Sequence, residues 1–201
     1  MAMYERFGKR SLDLIAASAL LLCLLPVLVL VGLSILVLDG APVFFRQERV
    51  GRHGLPFQIL KFRTMTQMRH DSSTFAAGDQ SRITRIGATL RDTKVDELPQ
   101  LINVLCGDMS LVGPRPEVAV WVEEFRARWE TALTIRPGIT DNAALLYRHE
   151  ERELAAVVDP VAHYRQTVLP RKLDLYEDYA RDISLRKDVR ILWRTFLRLF
   201  T

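Results

Sequence analysis

Residues 14–38 read LIAASALLLCLLPVLVLVGLSILVL, 25 consecutive positions without a charged side chain. At ~1.5 Å per residue a helix of this length crosses a ~30 Å hydrocarbon core with some tilt. A secretory signal peptide also begins with basic residues, here Arg6, Lys9 and Arg10, but its apolar region is only ~7 to 15 residues long and ends at a small-residue cleavage site. Asp39-Gly40-Ala41-Pro42 is no such site. Pro26 has twelve uncharged residues on each side. In a helix interior, proline removes one backbone hydrogen bond and clashes with the preceding turn, so a bend at the midpoint is expected. Both flanks are basic, with Arg6, Lys9 and Arg10 before the run and Arg46, Arg49 and Arg52 after it. The positive-inside rule therefore asks both ends to stay on the cytoplasmic side. A re-entrant helix over residues 1–39 that dips into one leaflet and returns satisfies that rule and uses the kink. A simple spanning helix with a proline in it remains the alternative.

Outward from this segment, the charge distribution is uneven. Residues 1–63 carry eight basic and four acidic residues, while 64–201 are balanced at 20 of each, so the whole net charge of +4 flanks the apolar run. A basic excess there points to anionic lipid or phosphate before nucleic acid, which is not expected as a partner. With 201 residues, 49% hydrophobic and 26% charged, the chain is neither a disordered tail nor a fibre, and 40–201 is long enough for one compact domain. Cys23 and Cys106 lie 83 positions apart, which argues against a disulfide framework, and the four histidines lack metal-ligand spacing.

The expected fold is mixed α/β and helix-rich. Val43–Phe45 and Pro56–Phe62 are β-prone around Gly51-Arg52-His53-Gly54 and read as a hairpin. Residues 67–81 are polar and read as a loop. Ile83, Ile86 and Leu90, then Leu98, Leu101, Ile102 and Leu105, recur at helical spacing up to Gly107, giving two consecutive amphipathic helices. Residues 110–117, with Gly113, Pro114 and Pro116, read as a stiff loop, and Val118, Trp121, Val122, Phe125 and Trp129 as a core-facing helical stripe. Residues 150–158 and 169–183 look helical. Arg186, Arg190, Arg194 and Arg198 line one face of a terminal helix, which suits either a membrane surface or a docked helix with a solvated arginine face.

Asp96-Glu97-Leu98-Pro99 opens one of these helices, with proline tolerated in the first turn. The positive helix end favours ionised carboxylates, so the pair suits nucleophilic attack or metal binding better than proton donation; a helix cap with a first-turn acid is the plainer reading. Lys61, Arg63, Arg91, Arg115 and Arg136 all lie in short loops or at element ends. Arg115 is held between Pro114 and Pro116, a pre-organised fork for phosphate. Neither a GxxxxGK[ST] nor a GxGxxG pattern occurs, so P-loop and Rossmann cofactor sites are unsupported.

With these residues the chain resembles the bacterial sugar transferase family, the small monotopic polyprenyl-phosphate phosphoglycosyl transferases. The motifs run in one order from Lys9-Arg10-Ser11-Leu12-Asp13 through Pro42-Val43-Phe44-Phe45-Arg46-Gln47, Lys61-Phe62-Arg63-Thr64-Met65, Asp96-Glu97-Leu98-Pro99-Gln100-Leu101, Gly107-Asp108-Met109-Ser110, Val112-Gly113-Pro114-Arg115-Pro116-Glu117 and Arg136-Pro137-Gly138-Ile139-Thr140. The resemblance implies a re-entrant first helix broken near Pro26, a cytoplasmic catalytic domain over 40–201 with interfacial helices, and a location at the cytoplasmic face of the bacterial inner membrane. It implies transfer of a phosphosugar from a UDP-sugar donor to a polyprenyl phosphate acceptor, with Asp96 and Glu97 as the catalytic dyad. Implied with them are Mg²⁺ held by Glu97 and Asp96, and Lys61, Arg63, Arg91, Pro114, Arg115, Pro116, Glu117 and Arg136 around the donor. Membrane lipid is an implied partner, and a homodimer stays open. A non-catalytic membrane-anchored scaffold that keeps the fold is the rival, which an intact Asp96-Glu97 pair argues against. Two departures stand out: Leu25 precedes Pro26 where members often have serine, and Asp141-Asn142-Ala143 follows Thr140 where many continue Gly-x-Ala-Gln-Val.

Overall fold

The computed structural model describes residues 4, 8–66, 82–148 and 150–198. The loop expected over 67–81 lies outside the described residues. The apolar run forms most of α1 (Lys9–Leu38), continuous through Pro26, and by length and composition α1 is able to cross a membrane. A broad stripe including Ile15, Leu22, Leu30, Val37 and Leu38 is exposed, which suits lipid rather than a protein core. Its two ends nevertheless pack on the same domain. Ala17 joins the core of Leu101, Val104, Met109 and Leu111, while Ile35 packs with Phe62 and Leu90. At the first turn the fully buried Asp188 accepts hydrogen bonds from Lys9 Nζ and Tyr4 OH, each 2.7 Å, and from Tyr179 OH at 2.5 Å. Where α1 ends, Arg63 donates to the carbonyls of Asp39, Gly40 and Ala41 at 2.6–2.9 Å, satisfying acceptors that a helix terminus leaves open.

The expected hairpin is present and its first strand is longer: β1 (Phe44–Val50) pairs antiparallel with β2 (Pro56–Phe62), Phe44 opposite Phe62 and Val50 opposite Pro56. The pairing extends past Phe45 because β2 offers seven partners, although Arg46–Arg49 are polar. Next come α2 (Arg85–Asp92), N-capped by Thr84 Oγ1 on the Gly87 N–H, and α3 (Gln100–Cys106), ended by Gly107 at φ +96°. Asn103 of α3 joins the edge of β2, donating to Gln58 O at 2.8 Å and accepting from Leu60 N at 3.0 Å.

The stiff loop expected over 110–117 begins as a strand. β3 (Ser110–Val112) precedes α4 (Ala119–Glu124) and α5 (Arg126–Ala132), and pairs in parallel with β4 (Gly138–Thr140). Three-residue strands leave no period-2 signature, which is why the pair is invisible in the sequence. Gly113 and Gly138 cross backbone to backbone: a Cβ on Gly138 would lie 2.1 Å from Gly113 N. The stripe expected through Trp129 is one face broken at Phe125, with Trp121, Val122 and Trp129 buried against Tyr164, Val168, Leu169, Leu173 and Tyr176. Short helices α6 (Asn142–Leu146), α7 (Glu150–Ala155) and α8 (Pro160–His163) lead through a π-helical turn, Tyr164–Val168, into α9 (Leu169–Arg181). The last helix, α10 (Leu185–Arg198), docks through Asp188 and Ile191 and still exposes Leu185, Val189, Trp193 and Phe196 on one stripe beside its four arginines.

Candidate active site

Asp96 and Glu97 do not sit in α3 itself. They occupy a 3₁₀ turn, Val95–Glu97, entered through Lys94 at φ +59° and followed by Pro99 at the α3 N-cap. The bonds of Asn103 to β2 bring this turn beside the end of the hairpin, so that Lys61 of β2 reaches Glu97 Oε1 at 2.8 Å. From the other side Arg115 takes both oxygens, Nη1 on Oε2 at 3.3 Å and Nη2 on Oε1. Pro114 and Pro116 are buried and Arg115 itself is half-buried, so the fork is presented from fixed backbone.

The electrostatics separate the two acids. Burial alone would raise Glu97, but Arg115 and Lys61 hold it well below the ordinary carboxylate range. The same pairing drives Arg115 above its usual value, whereas burial pulls Lys61 down against the attraction of Glu97. Asp96 is shifted the opposite way: burial raises it, only partly offset by Lys61, and it is 7% exposed with Oδ1 lacking a hydrogen-bond partner. Solvent exclusion, rather than the end of a helix, sets its ionisation.

Of the other residues singled out from sequence, Glu117 belongs to the same polar chain. It accepts from Arg49 Nη1 at 2.9 Å and from Tyr164 OH at 2.5 Å, and its carbonyl pairs with Val50 N. Arg91 acts on Asp96 through its charge and reaches Thr64 Oγ1 at 3.5 Å. Arg63 is spent on the carbonyls at the end of α1. The structure does not bring Arg136 to the dyad: its Nε donates to Gly107 O at 2.8 Å, beyond the far end of α3.

Several site residues were not legible beforehand. Arg49 and Tyr164 flank Glu117, and Lys172 pairs with Glu150 at 2.5 Å beneath the rings of Tyr164 and Tyr147. Asp141, at the end of β4, is 3% exposed; its Oδ1 accepts the Ala144 N–H while Oδ2 has no partner. Burial pushes its pKa up to about 6, with Arg115 and Lys172 opposing. The departure at Asp141 was the one available signal.

For a divalent cation, no three His, Cys, Asp or Glu side chains converge among the described residues. Both oxygens of Glu97 already carry cationic partners, and Asp96 Oδ1 is the carboxylate atom left over. That donor set fits an ion bound mainly by a substrate's phosphate oxygens and one carboxylate, as is usual for Mg²⁺.

A buried acid with an open oxygen, beside cations that outnumber their carboxylate, on a chain carrying a helix long and apolar enough to cross a membrane, would suit an enzyme acting on phosphorylated substrates at a membrane. The match is specific: a family model described as bacterial sugar transferase covers residues 4–201, and the chain belongs to that family. It is 40% identical over 198 residues to the UDP-glucose:undecaprenyl-phosphate glucose-1-phosphate transferase of Caulobacter vibrioides, covering 96% of this chain and 70% of the relative. To the enzyme of the same name from Escherichia coli K12 it is 34% identical over 200 residues, covering 98% of this chain but only 41% of that protein. The exopolysaccharide production protein PSS of Rhizobium leguminosarum bv. phaseoli is 36% identical over 201 residues, 96% of this chain and 95% of the relative.

Proposed function

We propose that the chain transfers a sugar 1-phosphate from a UDP-sugar to undecaprenyl phosphate, releasing UMP and initiating polysaccharide synthesis at the cytoplasmic face of the bacterial membrane. The observation that carries the reading is the pairing of Asp96, buried with an unpartnered oxygen, and Glu97, gripped by Lys61 and Arg115. The names of the relatives supply the substrate class.

In the proposed mechanism a carboxylate oxygen of Asp96 attacks the β-phosphorus of the donor. The bond from that phosphorus to the bridging oxygen breaks, and UMP leaves with the electron pair. A phosphate oxygen of the lipid then attacks the aspartyl phosphosugar, forming the lipid-linked product and returning Asp96 as carboxylate. Lys61 and Arg115 exchange part of their hold on Glu97 for the diphosphate, stabilising charge where it accumulates. Glu97 keeps both cations aligned. Asp96, with Glu97 as the neighbouring carboxylate, would hold a Mg²⁺ ion, which would supply charge neutralisation for the donor diphosphate. Arg91 supports the charge on Asp96 and Glu117 anchors Arg49 and Tyr164, while Arg63 acts at one remove by securing the end of α1 to β2.

The re-entrant topology draws support from the way α1 is held. A straight 30-residue helix is ~45 Å long, yet Lys9 near one end and Ile35 near the other both pack on the one domain. An upright span leaves the far end in the opposite leaflet. The exposed stripe and arginines of α10 suit an interfacial helix.

Incubating the full chain with donor alone and reading UMP release and protein mass tests the chemistry. A phosphosugar adduct on Asp96, absent in Asp96→Asn, is expected; turnover without an adduct would replace the covalent route. Cysteine labelling at positions 2 and 201 in intact cells tests the topology: both are expected to be shielded from outside.

A further inference from the structure

Arg136, separated from the dyad, has other company. Its Nε donates to Gly107 O at 2.8 Å, and Arg10, in the first turn of α1, donates to Val104 O at 2.7 Å and Leu105 O at 3.2 Å. Arg10 Nη2 also lies 3.5 Å from where a Cβ on Gly107 would stand. Arg52, at the hairpin turn, donates through Nε to Thr134 O at 2.9 Å, two residues before Arg136. Three guanidiniums from three distant parts of the chain thus gather around the C-terminal end of α3. Among the described residues none of them has a carboxylate within ion-pair distance.

Capping a helix explains part of this arrangement and not all of it. A helix C-terminus carries the equivalent of about half a negative charge, and one or two donors suffice to satisfy its carbonyls. The acid that acts on Arg136 is Asp13, buried and already accepting the Leu111 N–H at 3.0 Å. Asp108, next after Gly107, accepts from Asn103 Nδ2 at 3.3 Å, so the three positive charges face two carboxylates and half a unit, and a small positive excess remains. Arg136 is lowered by burial and by the charges of Arg10 and Arg52, so both repel it as they stand. Arg10 also sits at the positive end of α1, the costly end for a cation. Each nitrogen that bonds a carbonyl fixes its guanidinium, and among the described residues the Nη atoms of Arg52 and Arg136 hold no hydrogen bond. That is the geometry of an anion fork.

We infer that Arg10, Arg52 and Arg136 form a binding site for the phosphate of a membrane lipid, at the start of the apolar helix and apart from the reacting centre. Arg10 lies one helical turn before the uncharged run, which places the site at the headgroup level of whatever bilayer α1 enters. The seven residues of α3, ~10 Å of helix, lie between it and Asp96, so a phosphate held here waits beside the chemistry rather than taking part in it. Both the polyprenyl phosphate acceptor and an anionic phospholipid present this group. The site stands whether or not the chain transfers sugar phosphate, because its readout is binding.

The test uses the full chain in a neutral detergent, titrated separately with undecaprenyl phosphate, dioctanoyl phosphatidylglycerol, dioctanoyl phosphatidylcholine and inorganic phosphate, and followed by melting temperature and tryptophan fluorescence. Arg52→Gln is the lead variant, since Arg52 is exposed and holds a single backbone carbonyl; its unliganded melting temperature is expected to match wild type. Arg136→Gln is the second. Each is expected to weaken phosphatidylglycerol or undecaprenyl phosphate roughly fivefold, the loss of about 1 kcal/mol per arginine near an anionic headgroup. Preference for undecaprenyl phosphate identifies the acceptor as the ligand; equal response to phosphatidylglycerol identifies bulk lipid; displacement of either by millimolar inorganic phosphate identifies a soluble anion. If both variants bind all the anions as wild type does, or if phosphatidylcholine binds equally well, the site does not exist.

Discussion

Asp188 and Glu97 are both buried carboxylates gripped by a lysine, and they differ in what else reaches them. Asp188 has one cation, Lys9, and two phenols, Tyr4 and Tyr179, so each of its partners is held and its own charge is met. Glu97 has two cations on one carboxylate, and its neighbour Asp96 carries an oxygen without a partner. A closed network of this kind holds two elements together, here the first turn of α1 and α10. An unbalanced one has donors and an acceptor ready to be redistributed when an anion arrives. Burial alone does not distinguish a strut from a reactive centre; the balance of partners does.

The largest expected effect lies on the unbalanced side. Asp96→Asn should abolish UMP release, because an amide of nearly the same shape is a poor nucleophile; near-normal turnover would break the contrast outright. Asp188→Asn should cost about 3–5 kcal/mol in stability, since it strands Lys9 in the interior. The double variant Lys9→Met/Asp188→Leu should recover most of that loss in a denaturation experiment, with donor turnover retained. Loss of turnover at full stability would give Asp188 a part in the chemistry.

Asp141 sharpens the contrast through pH. Its folded pKa of about 6 lies above the ordinary 3.8, so the folded state gains stability from holding the proton. That contribution is complete below about pH 4 and is lost as pH rises through 6. Asp141→Asn keeps the cap on α6 without the buried charge, and should stabilise the chain by roughly 3 kcal/mol at pH 8 and by nothing at pH 4. Arg115→Lys is the smallest: one charge stays on Glu97 but the fork is gone, for a loss of roughly ten- to a hundredfold in catalytic efficiency, about 1.5–3 kcal/mol. Unchanged apo melting temperature with no UMP-induced shift is expected; a full UMP shift would remove Arg115 from the donor site.

The strut and the reactive centre were unequally legible in the sequence. Asp96, Glu97, Lys61 and Arg115 stand in compact motifs on or beside elements with clear periodicity, and the structure brings those four together. Arg136 stood in an equally compact motif and went elsewhere, because a motif fixes a backbone turn and not the destination of a long side chain. Arg49 and Tyr164 were missed because one lies near the end of a strand among other polar residues and the other opens a π-helical turn within a core stripe, places where polar atoms carry no pattern of their own. Lys9 and Asp188 are 179 positions apart, and nothing local in either neighbourhood names the other.

The crossing of Gly113 and Gly138 gives the chain a neck. Everything between them, from Arg115 through α4 and α5 to Arg136, leaves the β3–β4 pair and returns to the same point, with Gly138 N bonded to Pro114 O at 2.8 Å. For such an excursion length is cheap: doubling it adds only about 0.6 kcal/mol of closure entropy. Width at the neck is not, since one methyl group on Gly138 would lie 2.1 Å from Gly113 N. Insertions can therefore be accommodated at exposed points of the excursion away from the buried faces of α4 and α5, where length changes leave the neck untouched, while a single carbon at the neck shifts the backbone that carries Arg115.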